Sequence, residues 1–261
     1  MHPGLRPITC LVFAFLLCLH PRSQAQEGEL DKSPPKGMTP ADVIRRFTAK
    51  EKEWKQAREQ YSFRQSVKVE AMNGESVVGE YRKVADVSYR DGKRLETVVL
   101  APQPSIQMSP EDLQDLETRS SFTISTDESP EYALLYVGQQ KVDELHCYVL
   151  DVAPKRIEKG KRYFQGRIWV DDQDLQIVKN TGKSVPDIRI VKKKRVDENL
   201  FPQFTTWREQ IDGKYWFPTF SSADDTLHFR NSDVRIKQVL KFTNYQRAAS
   251  AAQAKEKLPK Q

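Results

Sequence analysis

From Tyr61 to Glu70 the chain alternates strictly, with Tyr61, Phe63, Gln65, Val67 and Val69 on one side and Ser62, Arg64, Ser66, Lys68 and Glu70 on the other. A period of two is the spacing of a strand that turns one face to a core and one to water. Asn73-Gly74 then supplies a turn, Ser76 to Val87 a second strand, Asp91-Gly92 another turn, and Arg94 to Leu100 a third strand. Such short turns fit antiparallel hairpins. The pattern returns in the second half over Tyr132–Val137, Cys147–Val152, Arg162–Val170, Leu175–Gly182, Phe204–Ile211, Lys214–Phe220, Leu227–Asn231 and Val234–Tyr245, which makes about eleven strands. A twisted sheet of that width must curl, split or close.

Two helices interrupt the strands. Thr39-Pro40-Ala41-Asp42 places a hydroxyl at the cap, proline at the first helical position and an acid at the third, and it opens a helix from Ala41 to about Gln60. The apolar stripe of that helix is patchy, with a polar gap between Phe47 and Trp54. Ser109-Pro110-Glu111-Asp112 repeats the signature and starts a short helix through about Glu117. Residues 118–130 carry Ser and Thr without a period and read as a loop or mobile cover. The expected class is therefore α+β, mainly antiparallel. No repeat of fixed length and no Pro/Gly linker divides the chain, so 39–246 is expected to form a single domain, flanked by a disordered leader at 26–38 and a flexible basic tail at 247–261.

The first 25 residues read as a cleaved secretory signal: one early cation, Arg6, an apolar run from Ile8 to Leu19, and Ser23-Gln24-Ala25 ahead of a cut after Ala25. The run is shorter than the roughly 20 apolar residues that cross a bilayer. Leu17 before Cys18 is the wrong residue for lipid attachment, so the mature chain is expected to be soluble. Losing Arg6 and Arg22 takes the formal charge from +6 to +4, a mild excess for about 235 residues and no footprint of a nucleic-acid binder. The one dense basic run, Lys192-Lys193-Lys194-Arg195, reads as a solvated loop or strand end, with transient contact to anionic headgroups as its alternative.

Little in the mature chain suggests catalysis or metal binding. It keeps His146, His228 and Cys147, and adjacent strand residues such as His146 and Cys147 point to opposite faces. One cysteine makes no internal disulfide, and a buried inert thiol is the expectation for Cys147. No G-x-S-x-G elbow, P-loop or G-x-G-x-x-G occurs. Asp171-Asp172-Gln173-Asp174 lacks the glycine and distal glutamate of a calcium loop and is read as a tight turn. No catalytic residue, metal ligand or cofactor is assigned.

The order of elements, together with Tyr163-Phe164-Gln165-Gly166-Arg167-Ile168-Trp169-Val170 and the acidic turn and strand that follow through Lys179, resembles the LolA/LolB-like group, the outer-membrane lipoprotein-sorting proteins of bacteria. Gly79-Glu80-Tyr81-Arg82-Lys83-Val84 and Asp91-Gly92-Lys93-Arg94 are similar to that group as well. The resemblance spans about residues 41–245 and implies an unclosed β half-barrel whose concave face is covered by the long N-terminal helix and the short mid-chain helix. It also implies a monomeric periplasmic carrier that holds lipoprotein acyl chains without covalent chemistry, and an arginine that holds its lid shut, to which no arginine is matched here. Apolar residues at alternate strand positions would line the hollow: Phe63, Val67, Val69, Val99, Leu134, Ile168 and Val170. Two other classes stay open, an envelope-stress sensor or protein-interaction module on the same half-barrel, and a hydrolase acting on envelope components.

Overall fold

The computed structural model describes residues 27–119, 122–192 and 195–248, with side chains described for these except 190–197. The proposed signal at 1–25 and the tail beyond 248 lie outside the described residues. Helix α1 runs Pro40–Ala57 and ends in a 3-10 turn, Arg58–Gln60. Its start is the capping box that the sequence announces: Thr39 Oγ1 accepts the Asp42 N–H at 3.1 Å while the Asp42 carboxylate takes the Thr39 N–H at 3.3 Å. Helix α2, Pro110–Thr118, opens with the same reciprocal pair between Ser109 and Asp112.

The strands are β1 (Tyr61–Asn73), β2 (Ser76–Arg90), β3 (Lys93–Leu100), β4 (Tyr132–Val142), β5 (Leu145–Pro154), β6 (Tyr163–Asp171), β7 (Ile177–Val185), β8 (Ile188–Lys192), β9 (Arg195–Asn199), β10 (Phe204–Ile211), β11 (Tyr215–His228) and β12 (Asp233–Arg247). Ten of them form one sheet in the order β3-β2-β1-β12-β11-β10-β7-β6-β5-β4, and β8-β9 stand apart as a hairpin. Every pairing is antiparallel. The first three strands and the last three join through β1 and β12, and β10 bonds to β7 to attach the middle meander. Strands β3 and β4 end the order without meeting, so the sheet is a curved, open half-barrel.

The strand list differs from expectation in two places. Leu227 does not begin a strand of its own; β11 continues unbroken to His228, and the turn follows it. Two short strands not expected from the sequence, β8 and β9, flank the dense basic run: Lys192 ends β8 and Arg195 begins β9, while Lys193 and Lys194 lie outside the described residues.

The leader departs from the expected disorder. Gly28 N donates to Lys141 O at 2.8 Å, and Asp31 and Gln139 exchange backbone hydrogen bonds at 2.8 and 2.7 Å, so the segment borders the outer strand β4. Gly138, at φ 156°, permits this approach, because a Cβ there would stand 2.3 Å from the Asp31 carbonyl oxygen. An unpaired strand edge attracts other chains, and here the protein's own leader covers part of one. The supposed mobile cover is likewise held: Ile124 is fully buried in the core and Thr126 N donates to Thr48 O on α1 at 3.0 Å.

The helix-covered face holds two apolar clusters. Under α1, Val43 and Phe47 pack with Ile124, Leu150, Ile168 and Val170. Under α2, Leu116 packs with Phe63, Val67, Val69, Leu240 and Phe242. On the opposite face Leu30 of the leader packs against Val142, Cys147, Val149, Trp169 and Val178.

Candidate ligand groove

The alternation that sets β1 in the sheet decides what its core side presents. Tyr61, Phe63, Gln65, Val67 and Val69 are all buried, as the period of two requires. Past Val69 the cover thins, and a cavity of about 720 Å³ opens. Its floor is Val69 and Ala71 of β1 with Val234 and Ile236 of β12, its roof includes Ile106 and Met108, and Leu200 after the β8-β9 hairpin forms a side. Ser109, Asn199 and Gln238 and the carboxylates Glu111, Asp112 and Glu198 stand among the polar groups around it. That volume lies within the ~300–1,000 Å³ of small-molecule sites, and an apolar lining with a few polar groups is their usual composition.

The roof is fastened to the sheet edge. Ser105 N donates to Glu80 O at 2.9 Å and Glu80 N donates to Ser105 Oγ at 2.8 Å. Gly79 lies beneath Ile106 so closely that a Cβ there would come within 2.1 Å of Ile106 Cγ2. Asn199 Nδ2 donates to Ser109 Oγ at 2.6 Å and so ties the hairpin to the start of α2. At the other end of α2, Arg119 Nη2 donates to Asp115 Oδ2 at 2.7 Å, and its guanidinium carbon sits 4.0 Å from the centre of the Phe204 ring.

The seven residues expected to line the hollow do not share one place. Val69 borders the cavity, and Phe63 and Val67 pack beside it in the α2 cluster. Leu134, Ile168 and Val170 belong to the α1 cluster, where side chains of α1 and of the 122–125 segment fill the space. Val99 is misplaced by the sequence reading: it lies at the irregularity between the Val84–Leu100 and Ala85–Val98 pairs of the edge strand and is 50% exposed. An edge strand has cover on one flank only, so its apolar residues need not face a core.

Sequence reasoning missed the buried charge under α1. Glu51 is fully buried and pairs with Arg208 of β10 at 3.2 Å. Its carboxylate also accepts the Thr123 hydroxyl at 2.9 Å and the Ile177 N–H at 3.0 Å. Arg208 Nη2 donates to Phe122 O at 2.5 Å, and the guanidinium lies over Trp54, 4.7 Å from the ring centre. One network thus joins α1, the 122–125 segment and the sheet. The signal was the polar gap between Phe47 and Trp54, since Glu51 stands on the inward stripe between them.

The remaining chemical candidates behave as inert groups. His146 is exposed and Cys147 buried on neighbouring positions of β5. Burial, with Asp171 and Asp172 nearby, pushes the Cys147 thiol up to about 12, so it carries no thiolate at neutral pH. The Asp171 carboxylate accepts the N–H groups of Gln173 and Asp174 at 3.1 and 2.7 Å, and this accounts for the acidic turn. Among the described residues no three His, Cys, Asp or Glu side chains gather at one point. A broader trough of about 1,070 Å³ on the opposite face is lined by Glu27, Asp151, Arg167 and Lys179 together with Leu135, Val152, Trp169 and Trp207.

No protein-family model matches the chain, and no curated protein matches it. Among solved structures it is similar to a DUF1329 family protein from Desulfovibrio piger, with 16% identity and a TM-score of 0.40 over 81% of this chain and 96% of the other. A LolA superfamily protein from Nitrosomonas europaea shows 13% identity and a TM-score of 0.36 over 83% and 97% of the two chains. An outer membrane lipoprotein-sorting protein domain from Vibrio parahaemolyticus shows 13% identity and 0.40 over 80% and 92%.

Proposed function

We propose that this chain is an exported, non-enzymatic carrier that works in the periplasm and holds the acyl chain of a lipid or lipoprotein in the groove beneath Ile106 and Met108. The observation that carries the reading is the apolar cavity of about 720 Å³ left between β1, β12 and the α2 segment. Each methylene buried there contributes about 0.8 kcal/mol, so one chain of ordinary length is held without a covalent bond. The roof is a loop fastened at Ser105 and at Ser109, two points outside the α1 cluster.

Native mass spectrometry of the mature chain purified from a Gram-negative host tests this. The expected result is co-purifying lipid, together with saturable binding of a fluorescent C16 fatty acid. Ala71→Trp, which fills the floor from a half-buried position, is expected to weaken that binding at least tenfold. Lipid-free protein that also fails to bind the fatty acid would overturn the carrier reading.

A second reading, a protein-interaction or envelope-sensing module, is favoured by one feature. Edge strand β3 is open on one side, and its Val98, Val99 and Leu100 are 55%, 50% and 53% exposed. An extended segment of a partner would add to such an edge by backbone hydrogen bonds. A stable protein partner captured through β3 by the lipid-free chain would favour this reading over transport.

A further inference from the structure

A second, smaller cavity of about 280 Å³ lies where the C-terminal ends of α1 and α2 approach the sheet. Four cations line it, Lys55, Arg58, Arg119 and Arg162, against one carboxylate, Glu128. That carboxylate is already engaged, accepting from Lys55 Nζ at 2.7 Å and from Ser125 N at 3.0 Å. Asp115 stands behind the wall, bonded to Arg119 at 2.7 Å. In the lining itself four cations face one carboxylate, and Asp115, Glu111, Asp112 and Asp187 act on Arg162 from behind it.

The donors at this place are incompletely used. The Arg119 side chain is only 1% exposed, yet Asp115 is the carboxylate it meets through Nη2, and its buried Nε and Nη1 have no hydrogen-bond partner. The buried Nη1 and Nη2 of Arg162 have none either; its guanidinium carbon rests 3.5 Å from the centre of the Phe201 ring. A ring face satisfies a guanidinium's charge in part but accepts no strong hydrogen bond, and buried polar groups are rarely left so. Desolvation lowers the pKa of both arginines, opposed by Asp115 at Arg119 and by Asp115, Glu111, Asp112 and Asp187 at Arg162, and both remain protonated.

We propose that this cavity is a binding site for a phosphate group, either free phosphate or the phosphate of a lipid headgroup, with Arg119 and Arg162 as hydrogen-bond donors and Lys55 and Arg58 as further positive charge. Guanidinium forks match phosphate oxygens in geometry, and three oxygens take up the donors that the protein leaves unsatisfied. The site does not rest on the acyl groove: α2 separates the two, with Ser109 and Asp112 at its start on the groove and Arg119 at its end on the cationic cavity. Occupation would fix the C-terminal end of α2, the element that covers the groove.

The test is calorimetric titration of the mature chain with inorganic phosphate at constant ionic strength in chloride. Saturable binding at one site is expected, weakened at least tenfold by Arg162→Gln and at least threefold by Lys55→Gln, a milder change on a half-exposed side chain. Absence of saturable binding, or variants that titrate like the parent, would overturn the proposal. Dihexanoyl phosphatidic acid separates the sources. Competition with phosphate at higher affinity identifies a headgroup, and equal affinity identifies free phosphate. If Ala71→Trp leaves fatty-acid binding intact while Arg162→Gln abolishes phosphate binding, the groove reading fails and the anion site stands.

Discussion

Under α1 the sheet is filled on its inner face and partly covered on its outer one, whereas under α2 the inner cover is incomplete and the outer face lies open. In the first region Leu150, Ile168 and Val170 face the helix while Cys147, Val149 and Trp169 pack under the leader's Leu30. In the second, Phe63, Val67 and Val69 face Leu116, but the outer face carries exposed or half-exposed ion pairs such as Arg64–Asp86 and Arg235–Asp224. The sheet is continuous through both, so strand propensity does not create the difference. What differs is the cover: an 18-residue helix with a buried ion pair on one side, and a 9-residue helix with a fastened loop on the other. A half-barrel of this kind is filled where its cover is long enough, and hollow where the cover falls short.

The sharpest break of that comparison is at the ion pair. Arg208→Met removes one partner and leaves the Glu51 carboxylate buried, with the Thr123 hydroxyl and the Ile177 N–H as its remaining donors. Urea unfolding is expected to show a loss of about 3–5 kcal/mol. The double variant Glu51→Leu with Arg208→Met removes both charges and is expected to be more stable than Arg208→Met alone, because no uncompensated charge is left. A double variant as weak as the single one would mean that the pair matters for packing and not for charge.

Smaller effects separate the two covers directly. Leu150→Ala in the filled region is expected to cost about 2–5 kcal/mol, the range for a large aliphatic side chain lost from a packed core. Ile236→Ala on the groove floor, where the side chain already borders empty space, is expected to cost under about 2 kcal/mol, since few packed neighbours are lost. Equal losses in denaturant midpoints at unchanged slope would show that the groove is as tightly packed as the α1 region.

The regular parts of this architecture were legible because local chemistry fixes them. The period of two from Tyr61, the paired hydroxyl-proline-acid starts at Thr39 and Ser109, and the turns at Asn73-Gly74 and Asp91-Gly92 each specify an element within a few residues. Features that depend on distant partners were not. Glu51 looks like any helix-surface acid until Arg208, far along the chain, is brought against it. The leader is polar and rich in proline, yet it gains order by completing backbone hydrogen bonds along β4. The candidate lining split in the same way: Ile168 and Val170 are buried beneath α1, and whether a strand position is filled over or left hollow depends on that helix, which no strand pattern encodes.

The smallest expected effect lies at the start of α1 and asks whether the filled half loosens locally before it unfolds. Hydrogen bonds from Arg45, and then from the Thr39 hydroxyl and N–H, hold the Asp42 carboxyl at about 2, below its ordinary 3.8. A depressed carboxyl pKa contributes stability that is complete above 3.8 and is lost as the pH falls toward 2. Asp42 is exposed, so salt screens part of this contribution and the consequence is confined to the first turn. Amide exchange at Val43, whose N–H donates to Thr39 O at 3.1 Å, is therefore expected to quicken across that interval while the Leu150 amide, deep in the same half, stays protected. Asp42→Asn should remove the acid dependence at Val43 and leave Leu150 unchanged. Parallel acceleration at both amides would show that α1 and the sheet beneath it open as one unit, and that the filled half has no separately yielding edge.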